Sequence, residues 1–198
     1  KSSFLMGPAQ APPLIRNAYH SDSANYFSES GLGVRPELWN DKGDFEIKDY
    51  FDIETITRKN LIKNTPLVTL GGDHSITYPI LKAFHSAYGS IDILHIDAHG
   101  DLYDEFEGDK HSHACPFARI MEDELASRLV QVGIRTLSTH QRNQAAQYGV
   151  ETIEMKDFSK SELPKFENPI YLSLDIDALD PAFAPGVSHY EPGGLSTR

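Results

Sequence analysis

Three short apolar runs in this chain stop abruptly at clusters of metal-ligand side chains, and that pattern constrains the fold more than any other feature. Residues 66–70 (Pro-Leu-Val-Thr-Leu) run into Gly71-Gly72-Asp73-His74-Ser75. Residues 91–96 run into Asp97-Ala98-His99-Gly100-Asp101, and residues 169–174 into Asp175-Ile176-Asp177. Short apolar runs bounded by Gly or Pro read as buried strands. Between and after them the pattern changes to helical periodicity over 75–88, 116–128 and 139–148, with further strands over 129–135 and 150–155. In the first of these helices Ile76, Ile80, Leu81 and Phe84 share one face. Alternating strand and helix predicts an α/β fold, a three-layer αβα arrangement around a central parallel sheet covered on both faces. Residues 1–45 are rich in Pro, Gly, Ser and Asn, with a short helix entered at Ala11-Pro12-Pro13, and a polar helical segment spans 53–64. No repeat, low-complexity tract or linker interrupts the chain, so residues 1–198 are expected to form a single domain.

In open parallel sheets, ligands bind beyond the carboxyl ends of the strands, where all three clusters fall. In an extended segment residues i and i+2 point the same way. Asp97 and His99 then share a face, as do Asp175 and Asp177, and Asp101 continues the first series. Six donors are expected to converge: His74, Asp97, His99, Asp101, Asp175 and Asp177. Four carboxylates and two imidazoles packed together would repel one another unless cations neutralise them. Four Asp balance two divalent ions, and mixed oxygen and imidazole donors suit an ion such as Mn²⁺. Cys115 is the only thiol, which argues against a structural zinc site. Two close metals lower the pKa of a water and aim it at an electrophilic carbon or phosphorus.

Each motif alone has a plainer reading. Asp-x-His is often a turn, Asp73 or Ser75 could simply cap a helix, and His95 reads as a core histidine inside a strand. Asp180 before Pro181 reads as a turn residue, and Asp104-Glu105-Phe106-Glu107 as a solvated loop. It is the conjunction of three motifs, each after a strand, that selects a metal site.

The formal net charge of -11 argues against a nucleic-acid partner and favours a cationic ligand. No run approaches the ~18 apolar residues of a membrane span. One cysteine excludes an intrachain disulfide, and no basic start leads into an apolar stretch, so a cytoplasmic protein is expected.

The stretches GGDHS at 71–75, DAHGD at 97–101, SLDIDALDPAFAPG at 173–186 and PGGL at 192–195 resemble the ureohydrolase family, which comprises arginase, agmatinase, formiminoglutamase and guanidinobutyrase. The resemblance runs from about Phe4 through Leu195, and residues 101–122 are similar to plant-type arginases and their agmatinase relatives. It implies an arginase-like fold and two Mn²⁺ ions. The first would be held by His74, Asp97, Asp101 and Asp175, the second by Asp97, His99, Asp175 and Asp177. An activated water, oriented by Asp177, would attack the guanidinium carbon to give urea and an amine. His113, in the Ser112-His113-Ala114 context and not the neighbouring His111, would shuttle the proton to the leaving amine. The resemblance also implies a homo-oligomer, a trimer or hexamer. The family's guanidinium-gripping glutamate lies beyond PGGL. The closing residues 193–198 read as a loop opening a further helix, so a C-terminal portion is expected outside this sequence.

Acidic side chains in Leu102-Tyr103-Asp104-Glu105 disfavour a carboxylate and point to agmatine, giving urea and putrescine. The alternative is L-arginine, because Val187-Ser188-His189-Tyr190-Glu191-Pro192 is similar to plant-type arginases; formiminoglutamate and guanidinobutyrate rank lower. A two-metal phosphoesterase would need basic groups near the site, where only Lys110 and Arg119 stand close in sequence. A one-zinc deacetylase would use fewer carboxylates, and a non-catalytic homologue would bind metal without turnover.

Overall fold

The computed structural model describes residues 3–158 and 164–197. The helices are α1 (Ala11–Tyr19), α2 (Asp52–Asn60), α3 (Thr77–Tyr88), α4 (Pro116–Glu122) and α5 (Thr139–Tyr148). Strands β1 (Ile91–Ile96), β2 (Ala126–Ile134), β3 (Glu151–Glu154) and β4 (Ile170–Leu174) pair in parallel in the order β3-β2-β1-β4. This is the α/β alternation with a parallel sheet that the apolar pattern predicts.

Local chemistry sets the element ends. Pro116 opens α4, where its missing N–H costs nothing. The helix stops at Glu122, and Glu124 takes the left-handed conformation at φ 54°. The helix expected over 116–128 is therefore cut short, and β2 begins at Ala126, earlier than its apolar run suggests. A reciprocal capping box starts α5: Gln141 N–H donates to Ser138 Oγ, and Ser138 N–H to Gln141 Oε1, both at 3.2 Å. Gly149 at φ 64° ends that helix.

The core joins Ile80 and Leu81 of α3, Ile93 of β1, Phe117 and Ile120 of α4 and Leu129 of β2, all essentially inaccessible. Burying each such side chain stabilises the fold by about 1.5–3 kcal/mol. Central strands β1 and β2 are thereby fixed, and the loops leaving their carboxyl ends start from rigid anchors.

The strand expected over 66–70 is not formed, and Val68 is 60% exposed. A strand needs a ladder, and β4 offers its hydrogen bonds to β1 alone. Ile170, Leu172 and Leu174 on one side of β4 are each about half exposed, so the sheet is open there, contrary to the expectation of cover on both faces. Residues 193–197 form no helix; Leu195 instead makes an isolated parallel bridge with Leu179. No helix among the described residues is long and apolar enough to cross a membrane.

Candidate metal centre

One backbone device delivers all three motifs. After each apolar run the first aspartate folds its side chain back onto the N–H two residues ahead. Asp73 Oδ1 accepts from Ser75 N–H at 3.1 Å, Asp97 Oδ1 from His99 N–H at 2.7 Å, and Asp175 Oδ1 from Asp177 N–H at 2.9 Å. These are Asx turns, which stop the chain from running on extended. The i, i+2 pairing expected from strand alternation is thus made by a turn instead. Asp177 sits in a 3₁₀ turn (Ile176–Ala178), and Asp101 is brought in by a left-handed residue at φ 48°.

Five of the six expected donors fall into two clusters of possible metal ligands; Asp175 lies outside both, with its Oδ2 approaching His74. His74 Nδ1 lies 3.0 Å from Asp97 Oδ2, 3.1 Å from Asp101 Oδ2 and 3.4 Å from Asp175 Oδ2. His99 Nδ1 lies 3.2 Å from Asp177 Oδ2 and 3.4 Å from Asp97 Oδ1. Two His/Asp clusters result, one around His74, Asp97 and Asp101 and one of Asp97, His99 and Asp177. Asp97 belongs to both, as a centre for two cations requires.

Groups behind the donors hold them in place. His74 Nε2 is 3.1 Å from Ser173 Oγ on β4, and His99 Nε2 is 3.4 Å from Glu191 Oε1. His95 lies within ligand range of the first cluster, but both its nitrogens are engaged. Gln131 Nε2 donates to its Nδ1 at 3.1 Å, and Nε2 donates to Asp97 Oδ2 at 2.8 Å. It supports a donor, consistent with its reading as a satisfied core histidine. Gly133, at φ 90°, lets the chain pass close to Asp97: a Cβ there would stand 3.1 Å from the Asp97 carbonyl oxygen. The Arg135 guanidinium donates to the carbonyl oxygens of Asp177 and Glu191, each at 2.7 Å, tying the two loops together.

The charges suit cations. Burial works to raise the Asp97 carboxyl, but His95, His74 and His99 hold it well below the usual range. Burial, and then the charge of Asp97, push Asp175 up to about 6. Burial likewise raises Asp177. Burial would lower His99, yet Asp177 and Asp97 hold it up at about 11, and His74 is raised in the same way by Asp101 and Asp97. Carboxylates buried this closely call for cationic partners, which raised imidazoles or divalent ions can supply. The donor set therefore fits a binuclear centre.

His113 lies beside this cluster. Its ring stacks on His189 with centroids 5.8 Å apart, and His189 meets His99 at 5.5 Å. His111 is turned elsewhere, stacked on Tyr50 at 4.7 Å. Sequence reasoning missed His189, Glu191 and Arg135 as parts of the site. The first two stand in a segment that carried only a substrate argument, and Arg135 reads as a strand-end residue.

Comparison with known proteins follows the same line. A model of the arginase family matches residues 1–198. The chain is 47% identical to a protein named arginase 1, mitochondrial, of Arabidopsis thaliana, over the whole of this chain and 64% of that relative. The arginase structure from Medicago truncatula superposes with a TM-score of 0.87 at 44% identity, covering 98% of this chain and 68% of that one. The agmatine ureohydrolase of Thermoplasma volcanium gives 0.82 at 29% identity, with 98% and 69% covered. The fold is that of these ureohydrolase structures. The chain belongs to the arginase family, and it spans about 64% of the length of the plant relatives it matches.

These relatives correct the expectation of a cytoplasmic protein: the plant proteins are named mitochondrial or chloroplastic/mitochondrial. One cysteine speaks only against a disulfide, and the lack of a basic start before an apolar stretch speaks only about secretion. Neither separates cytoplasm from an organelle interior.

Proposed function

We propose that this chain is an arginase-type ureohydrolase that hydrolyses L-arginine to ornithine and urea with two Mn²⁺ ions. The observation that carries this reading is the pair of donor clusters joined through Asp97. The first ion would be held by His74, Asp97, Asp101 and Asp175, and the second by Asp97, His99, Asp175 and Asp177. When bound, the ions supply Lewis-acid activation of a water near neutral pH. Asp177 orients that water by accepting its hydrogen bond. The guanidinium carbon gains a C–O bond and loses its C–N bond to the substrate chain. Both protons of the water end on the departing nitrogen, one of them carried there by His113, so urea leaves neutral and the amine leaves as an ammonium ion carrying the positive charge of the substrate guanidinium.

Arginine ranks above agmatine for a structural reason. The acidic residues that disfavoured a carboxylate have other surroundings: Asp104 pairs with His140 at 3.0 Å, and Glu105 is exposed. Leu102 is fully buried. That pairing weakens the objection to an α-carboxylate, and identity to plant proteins named arginase supports the same substrate. Agmatine is the competing reading, because a structure named for that substrate shares the fold. A trimer or hexamer belongs to the same proposal, and sedimentation reads it directly. The test of the reaction is urea release by the Mn²⁺-loaded protein with arginine and agmatine side by side. Faster release from arginine is expected. Preference for agmatine would overturn the substrate, and no urea from any guanidino compound would overturn the activity.

A further inference from the structure

The amino-terminal end of the described chain reaches the proton-handling histidine from far away in sequence. Ser3 N–H and Ser3 Oγ both donate to Asp73 Oδ2, the hydroxyl at 2.8 Å. The other oxygen of Asp73 is held by the N–H and hydroxyl of Ser75, at 3.1 and 2.5 Å. On its far side Ser3 Oγ accepts the backbone N–H of His113 at 2.9 Å and lies 3.1 Å from His113 Nδ1. Next in the chain, Phe4 packs its ring on His113 at 5.6 Å and on His189 at 5.7 Å.

Proton counting decides what these contacts mean. A serine hydroxyl has one hydrogen. In the arrangement seen it goes to the Asp73 carboxylate, which has none to return. The contact between Ser3 Oγ and His113 Nδ1 is then attractive only if Nδ1 carries the proton. With a bare Nδ1, one of the two contacts of Ser3 Oγ would set lone pair against lone pair. Ser112 Oγ, 3.2 Å from the same nitrogen, can share the Nδ1 proton as a second acceptor.

We propose that Ser3 is a positioning residue for His113: braced by Asp73, it fixes the imidazole in the Nδ1–H tautomer and leaves Nε2 as the nitrogen that takes up and releases protons. This rests on the proton-transfer role given to His113 above, but the tautomer is measurable without turnover. Histidines of the full chain are labelled with ¹⁵N, and Mg²⁺ replaces paramagnetic Mn²⁺. Long-range ¹H–¹⁵N spectra are then recorded at a pH where the His113 ring is neutral. His113→Asn assigns the His113 signals by their loss.

The expected result is a protonated Nδ1 and a bare Nε2 in the wild type. Ser3→Ala should give the mixed tautomers of a free imidazole, and Ser3→Thr, which keeps the hydroxyl, should restore the wild-type pattern. An Nε2–H ring in the wild type, or a pattern indifferent to Ser3→Ala, would overturn the proposal. In an active preparation Ser3→Ala should lower kcat by about tenfold, the low end of the range for acid–base groups, with KM unchanged. A rise in KM at constant kcat would count against positioning. If the chain releases no urea but shows the serine-dependent tautomer, the activity falls and the positioning stands.

Discussion

β1 and β4 lie side by side in the sheet, and each sends an aspartate and a second donor two residues on, His99 or Asp177, into the site through the same Asx turn. Their surroundings differ. β1 has a strand on both edges, and the Asp97 side chain keeps 1% of its accessible surface. β4 has one paired edge and one open face, and the Asp175 side chain keeps 32%. Charge follows the same division. Three histidines hold Asp97 well below the usual carboxylate range, whereas burial, and then the charge of Asp97, raise Asp175. One half of the centre is preformed by packing, and the other half gains most from the cations themselves.

The largest expected effect breaks that division at its shared point. Asp97→Ala should remove both ions and abolish urea release, and Asp175→Ala should do the same if it also serves both ions. Metal analysis of the purified variants checks this, and full metal content in either would remove that residue as a bridge. His113→Asn should leave the metal content untouched and slow turnover by roughly ten- to ten-thousandfold, the span observed for lost acid–base groups. Unchanged turnover would remove His113 from the reaction.

Stability variants sharpen the comparison between the strands. Ile93→Ala on β1 should cost about 2–5 kcal/mol in denaturant unfolding, since the side chain is fully buried. Leu172→Ala on the open face of β4 should cost under about 0.5 kcal/mol, the range of exposed positions. A large loss at Leu172 would mean that the face is covered in solution.

The pH dependence of the metal-free protein gives a smaller, continuous test. Asp175, raised to about 6 from an unfolded value near 4, contributes stability that is complete below about pH 4 and lost as pH rises through 6. His99, raised to about 11 from an unfolded value near 6.5, contributes stability that is complete below pH 6.5 and lost as pH rises through 11. Both slopes have one sign; above about pH 6, where the lowered carboxylates Asp97, Asp73 and Glu154 have completed their opposite contribution, the metal-free protein should lose stability as pH climbs. Metal ions take over the neutralising role, and the loaded protein should show the opposite slope where ligands deprotonate to bind. A metal-free protein that grew more stable over this range would contradict the assigned charges.

The fold's alternation and the six donors were legible because each depends on local signals: an apolar run, a stop, and a ligand-type side chain two residues on. What was not legible depends on contacts across the chain. Residues 66–70 look like a buried strand, but a strand exists only where a neighbour completes its ladder, and no local pattern reports that neighbour. Turn chemistry at Asp97 and Asp175, not extended alternation, sets how these donors are placed. Ser3 meets His113 across 110 positions, and Arg135 meets Glu191 across 56, with nothing in either segment to announce the contact. The agmatine reading leaned on the acidic loop, and composition does not tell that Asp104 pairs with His140.

The most direct test of a centre built on a shared Asp97 is a metal count. Isothermal titration of the metal-free chain with Mn²⁺, checked by elemental analysis, should give two ions per chain. Asp177→Ala should keep one and Asp97→Ala none. A single ion in the wild type, or two retained in Asp97→Ala, would contradict the binuclear account.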